Sequence, residues 1–221
     1  MNLKSLQTFL LIVSFMCFGY SQDGSNKSPH YVLPDFTEGI ILMKDGSELT
    51  EVLNYNSLSE NFAFKKDDEI LAMTQTDIGR IDTVYVSNRK FIRKDGVFLE
   101  VLMKSGVQLY LEYKCNLESS TAASSGYGGT SQTTSGRTIT SIENRGNLYQ
   151  LELPETYKAK PYKEYWLYKD DALTKFKTLG QLKKLYKDQK KDIKTYRKSH
   201  DVDTKEPLSI VKLIEYLESL D

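Results

Sequence analysis

Histidine and cysteine are the scarcest chemistry-bearing residues in this sequence, with two of each in 221 residues. Two cysteines exclude a disulfide framework, and all four side chains together leave almost no material for a zinc site or a histidine-centred active site. Net charge is absent too: 30 Lys and Arg balance 30 Asp and Glu, which removes the global electrostatic argument for nucleic-acid binding. No apolar run approaches the roughly 20 residues needed to span a bilayer. The GxSxG, HExxH, CxxC and Walker patterns are all missing, so nothing in the sequence calls for a cofactor or a metal.

What is present is a polar chain, 39% hydrophobic and 27% charged, enough for one ordinary domain with an appendage or for two small ones. Residues 1–22 (MNLKSLQTFLLIVSFMCFGYSQ) have the layout of a secretory signal peptide: Lys4, an apolar run from Phe9 to Phe18, then Gly19, Ser21 and Gln22. Cleavage is expected near Ser21 or Gln22. Cys17 follows the bulky Phe15 and Met16, which excludes a lipoprotein signal. Removing the leader leaves Cys115 as the single thiol. It ends an apolar run (Leu109, Leu111, Tyr113) and reads as a buried, inert side chain.

Residues 23–37 read as an extended lead-in. From residue 38 short alternating runs are separated by turn pairs: Gly39–Lys44 and Glu48–Leu53 around Asp45-Gly46, then Asn61–Lys65, Glu69–Met73, Ile81–Val86, Lys90–Arg93, Val97–Met103 and Val107–Tyr113. This spacing predicts an antiparallel β-domain of barrel or sandwich type over 38–168. Residues 119–136 contain fourteen Ser, Thr or Gly in eighteen and predict a mobile loop, placed at about 118–146. Strand patterns resume at Leu148–Leu153 and Tyr162–Tyr168. From about Leu173 the period becomes helical. Thr178 and Gln181 form a capping-box pair, Asp188 stands before a second short helix, and Pro207 opens a last helix carrying Ile210, Leu213, Ile214 and Leu217 on one face. The expected fold is α+β, with a C-terminal helical segment (169–221) packed on the β-domain.

The chemistry is sparse. His30 and His200 sit among polar neighbours and read as surface residues. Glu48, Glu100 and Glu112 alternate along strands and read as outward, solvated charges, so no catalytic residue is assigned. An enzyme using two facing carboxylates on envelope glycans is the alternative to a non-enzymatic binding or structural role. The most distinctive charge feature is basic: residues 169–200 hold eleven Lys or Arg against four Asp. Lys183, Lys187, Lys190, Lys191, Lys194, Arg197 and Lys198 form the candidate contact for an anionic surface, in a stripe opposite the apolar residues. A solvated helix face is the ordinary reading of the same residues and is favoured on sequence alone. The cluster Tyr162, Tyr165, Trp166 and Tyr168 reads as core between sheet and helices rather than a sugar platform.

Three stretches resemble a family of uncharacterised secreted and periplasmic proteins of Bacteroidetes-type bacteria. They are GIILMKDGSELTEVLNY (39–55), SSGYGGTSQTTS with the strands leading to Tyr165-Trp166-Leu167, and LGQLKKLYKDQKKDIKTYRKS with the final IVKLIEYLESL. The resemblance implies export to the periplasm or outer envelope, a β-domain with a helical cap, and partners among envelope components or outer-membrane protein complexes. It brings no activity and no functional residue. Where this chain has Leu185-Tyr186-Lys187, that family often has Phe-Pro, a helix breaker that is missing here.

Overall fold

A computed structural model describes residues 29–67, 69–104, 106–119 and 157–220. The expected leader 1–22, the lead-in as far as residue 28, all but the first two residues of the expected loop 118–146 and the strand expected at 148–153 lie outside the described residues. Four strands, β1 (Thr37–Met43), β2 (Glu48–Asn56), β3 (Asn61–Lys66) and β4 (Glu69–Ala72), form a meander. A short helix, α1 (Gln75–Arg80), returns the chain to β5 (Ile81–Val86), which pairs with the open side of β1. A second meander follows through β6 (Arg89–Lys94), β7 (Val97–Met103), β8 (Gln108–Ser119), β9 (Tyr157–Lys169) and β10 (Ala172–Phe176). The result is one ten-stranded antiparallel sheet in the order β10-β9-β8-β7-β6-β5-β1-β2-β3-β4.

Turn chemistry fixes much of this register. Ser87-Asn88, Asp95-Gly96 and Asp170-Asp171 all have positive φ at both positions, the two-residue geometry whose twist matches the flanking strands. At Asp45-Gly46 only Gly46 has positive φ (86°), and the Asp45 carboxylate accepts from the Ser47 amide instead.

The sheet is strongly curled. Tyr55 on β2 and Tyr113 on β8 are five strands apart in the ladder, roughly 24 Å in a flat sheet, yet their ring centroids lie 6.0 Å apart. Phe62 on β3 and Phe98 on β7 meet edge to face at 5.3 Å. Register shifts at Leu42/Met43 and Val101/Met103 bend the strands concerned. Among the described residues no ladder joins β4 to β10, so their sheet is not closed, and they form one sheet rather than the two of a sandwich. Leu53, Tyr55, Phe62, Phe91 and Phe98 fill its inside with essentially no exposure.

Three helices cover the same face further along the sheet: α2 (Leu179–Leu185), α3 (Lys190–Ser199) and α4 (Pro207–Glu218). Leu109, Leu111, Tyr165 and Leu167 of β8 and β9 share one core with Leu182, Ile193 and the Ile210, Leu213, Ile214 and Leu217 stripe of α4. Tyr113 borders both this core and the core inside the curl.

The helical C-terminus therefore packs on the β-structure as expected, with local differences. Residues 172–176 form β10, so the strands run past the expected boundary at 168 and helix begins only at Leu179. The capping box of Thr178 and Gln181 is formed, whereas Gln189, not Asp188, stands at the start of α3. α2 ends at Leu185 without a proline, because Tyr186 leaves helical geometry (φ −107°, ψ 63°) and stays buried.

Candidate functional site

The exposed basic face follows from how α2 and α3 are anchored. Leu182 and Ile193 face the core, and the connection between them is pinned at both ends. The Tyr186 hydroxyl donates to Glu218 Oε1 (2.7 Å), and Gln189 Nε2 donates to the Leu217 carbonyl (2.9 Å). With those faces committed inward, Lys187, Lys190, Lys191, Lys194, Arg197 and Lys198 are exposed, and Lys183 is half-buried. On α3 the five cations fall within roughly a third of the helical circumference, flanking the buried Ile193 rather than lying opposite it. Several lysines on or beside the sheet meet carboxylates: Lys114 with Glu60 and Glu112, Lys160 with Glu118, Lys169 with Glu218, Lys177 with Glu164. Among the described residues, none of the seven cations of this face makes an ion pair.

Two carboxylates expected in solvent are buried instead. Glu100 is gripped by Arg89, whose Nε and Nη2 donate to Oε1 (2.7 Å) and Oε2 (2.6 Å). The Tyr113 hydroxyl accepts from Arg89 and donates to Glu100 Oε2 (2.6 Å). Nearby, Lys163 donates to the Lys205 carbonyl and the Tyr165 hydroxyl to the Thr204 carbonyl (2.7 Å), which ties β9 to the segment before α4. Burial draws the Lys163 ammonium below the usual lysine range, against the raising pull of Glu206.

Glu112 lies on the other face of the sheet and is 1% exposed. It accepts from Trp166 Nε1 (2.7 Å) and Lys114 Nζ (3.0 Å), with Lys175 Nζ at 3.5 Å. Burial alone would raise its pKa, but these donors and charges outweigh it and hold the carboxyl below the usual glutamate range. Trp166 is thus buried as expected but not between sheet and helices: it packs with Leu99 and Tyr110 on the opposite face, under Lys175. The sequence signal for these acids was their setting in Phe98-Leu99-Glu100-Val101-Leu102 and Leu109–Tyr113, runs apolar on both faces. Because Glu100 and Glu112 occupy opposite faces and are each neutralised, they do not form the facing acid pair that glycoside hydrolysis needs.

A cleft of about 340 Å3 opens between α1 and the first three strands. Ile41, Met43, Leu49, Phe64, Met73 and Ile81 line it, with Glu51, Asp77 and Arg80 at the mouth. Glu51 and Asp77 are exposed, and Arg80 pairs with Asp45 at 3.5 Å.

The remaining candidates are structural. Cys115 is buried, and burial raises its thiol pKa, which makes it a poor nucleophile. His200 is exposed and stacks on Tyr196 at 4.0 Å. His30, expected at the surface, is 1% exposed, because the lead-in docks on β2: the His30 carbonyl accepts from the Ser57 amide (2.8 Å) and Asn54 bonds both the amide and carbonyl of Leu33. Among the described residues no helix is long and apolar enough to cross a membrane. Comparison with family models, curated proteins and solved structures gave no match.

Proposed function

We propose that this chain is an exported cell-envelope protein, periplasmic or outer-envelope associated, that works by binding rather than by catalysis. Its partner is an anionic envelope component presenting repeated phosphate or carboxylate groups. One observation carries the reading. The cations of α2, α3 and the turn between them crowd one face of well-anchored helices with no acidic partner among the described residues, whereas Lys114, Lys160, Lys169, Lys175 and Lys177 on or beside the sheet are each paired with a carboxylate. A face of this kind is attracted to anionic surfaces at about 1 kcal/mol per cation held near them. Export rests on the leader pattern of residues 1–22 and on the likeness to secreted proteins noted above. The curl supports reading the β-part as an incompletely closed barrel, a rigid support for the helices.

The test is sedimentation of the purified protein with isolated membranes and, separately, with cell-wall material. The protein should pellet with at least one fraction at low ionic strength and be released by salt. Retention in the supernatant with both fractions would remove the proposal, and the fraction that pellets it identifies whether lipid headgroups or wall polymer supply the anions.

A further inference from the structure

The core inside the curl is open at one end. Ile41, Met43, Phe64, Met73 and Ile81 belong to the same core as Tyr55 and Phe91, and they also line the cleft of about 340 Å3 beside α1. Its floor is closely packed, with Ile41, Met43 and Ile81 at 3%, 6% and 1% exposure. Leu49 is different. It stands directly across the ladder from Ile41 on the same side of the sheet, yet it is 48% exposed, so the fold leaves this wall uncovered. An apolar concavity of this size at the mouth of a curled sheet suits a small ligand.

The charges around the cleft select the sign of its occupant. Residues 37–86, which build every element bordering it, carry ten Asp or Glu against four Lys or Arg. Each of the four bases is engaged or turned away. Arg80 pairs with Asp45 at 3.5 Å, and Lys44 Nζ donates to the Gly79 carbonyl (2.8 Å) at the end of α1. Lys65 alternates with Phe64 and so lies on the outer face of β3. Lys66 is across the ladder from Glu69 and, one step beyond the Val52–Lys65 pair, also opposite Glu51, so one cation there meets two carboxylates. At the mouth, Glu51 and Asp77 are exposed and make no ion pair among the described residues, although the Asp77 carboxylate accepts from the Thr74 hydroxyl (2.6 Å). No group of three metal-ligating side chains converges among the described residues, so the mouth offers a metal ion no cage.

We propose that the cleft between α1 and β1–β3 binds a small organic cation. Its apolar body, alkyl or aryl, rests on Leu49, Phe64 and Met73, and its ammonium group stays at the mouth beside Glu51 and Asp77. Met43 and Met73 give the pocket adaptable walls, so it reads apolar size and positive charge rather than an exact outline. The site shares no residue with the basic face of α2 and α3 and stands whether or not that face binds an anionic partner.

NMR of the methionine methyls on the whole chain tests this with n-octylammonium, n-octanol and n-octanoate, which match in chain length and differ in charge. Octylammonium should shift the Met43 and Met73 methyls in a saturable titration and leave Met103, which lies in the core under the helices, unmoved. It should bind about threefold to tenfold more tightly than octanol, the effect of two exposed carboxylates, with octanoate weaker than both. Shortening the probe to n-hexylammonium should weaken binding about tenfold, because two buried methylenes are lost. Glu51→Gln combined with Asp77→Asn should erase the preference for octylammonium and leave octanol binding as in the wild type. Glu51→Gln alone, at an exposed position outside α1, should remove part of that preference with an unchanged unfolding midpoint. Leu49→Arg should weaken octylammonium binding by at least about tenfold, since it places a like charge at the mouth. Unmoved Met43 and Met73 methyls overturn the proposal, as does octanoate binding as tightly as octylammonium, or a preference for the ammonium that survives in the double variant.

Discussion

Glu112 carries an energetic consequence that can be read directly. Its carboxyl is held below the usual glutamate range, so the group is ionised in the folded state at pH values where the unfolded chain has already bound a proton. The stabilisation is complete above the unfolded value near 4.3 and is lost as pH falls through the lower, folded value. Glu112→Gln keeps the shape and an acceptor for Trp166 but removes the charge facing Lys114 and Lys175. At neutral pH it should cost about 1–2 kcal/mol by denaturant midpoint, and the difference from wild type should shrink below about pH 4. An equal difference at both pH values would show that the charge contributes nothing. Gly39 is constrained by space rather than charge: a Cβ there would lie 2.7 Å from the Tyr85 carbonyl oxygen and 3.0 Å from Val86 Cβ. Gly39→Ala should therefore destabilise by about 1–3 kcal/mol; an unchanged unfolding midpoint would mean that β1 and β5 separate freely at this point. At this scale the sequence was informative about apolar residues and poor on polar ones. The runs of apolar residues marked the strands that hold Leu53, Phe91 and Leu111, all of them buried, but a period of two cannot tell a solvated glutamate from one neutralised by Arg89 on a neighbouring strand. It also could not show that His30 would be covered when its segment docked on β2.

Among the elements, legibility tracked the strength of local chemistry. Asp95-Gly96 marks its hairpin because its conformation needs residues that tolerate positive φ, and Thr178 with Gln181 marks the start of α2 because the two satisfy each other's backbone amides. α4 was legible from its four-residue apolar stripe, all of it buried. The missed elements are short. α1 has six residues and one buried side chain, Ile78, too little for periodicity to register. β10 has five residues, and the run Leu173-Thr174-Lys175-Phe176 fits a strand or the first turn of a helix equally well. Its pairing with the long β9 decides the matter, which is tertiary information. Because α4 attaches the helices to β8 and β9 through fully buried side chains, Leu213→Ala should cost about 2–5 kcal/mol. Calorimetry would detect this as a lower unfolding temperature with the single transition kept. A separate early transition for the helices would show instead that they form an independent unit.

For the molecule as a whole, the sequence carried the basic segment but not its geometry. The eleven cations of residues 169–200 can be counted directly, while their lack of acidic partners on α2 and α3 required the positions of Glu112, Glu164 and Glu218. Curling was likewise hidden, since nothing local in Tyr55 or Tyr113 indicates that they meet across five strands. What emerges is a curled sheet that presents a fixed basic helical face. The most direct measurement of that account is binding to vesicles containing anionic phospholipid, titrated against ionic strength, for wild type and for a variant with Lys187, Lys191, Lys194 and Lys198 changed to Glu. At about 1 kcal/mol per cation near the surface, the variant should bind at least a hundredfold more weakly, and raising salt toward about 0.5 M should abolish most of the wild-type binding. Equal binding by both proteins, insensitive to salt, would contradict the claim that this face docks the molecule.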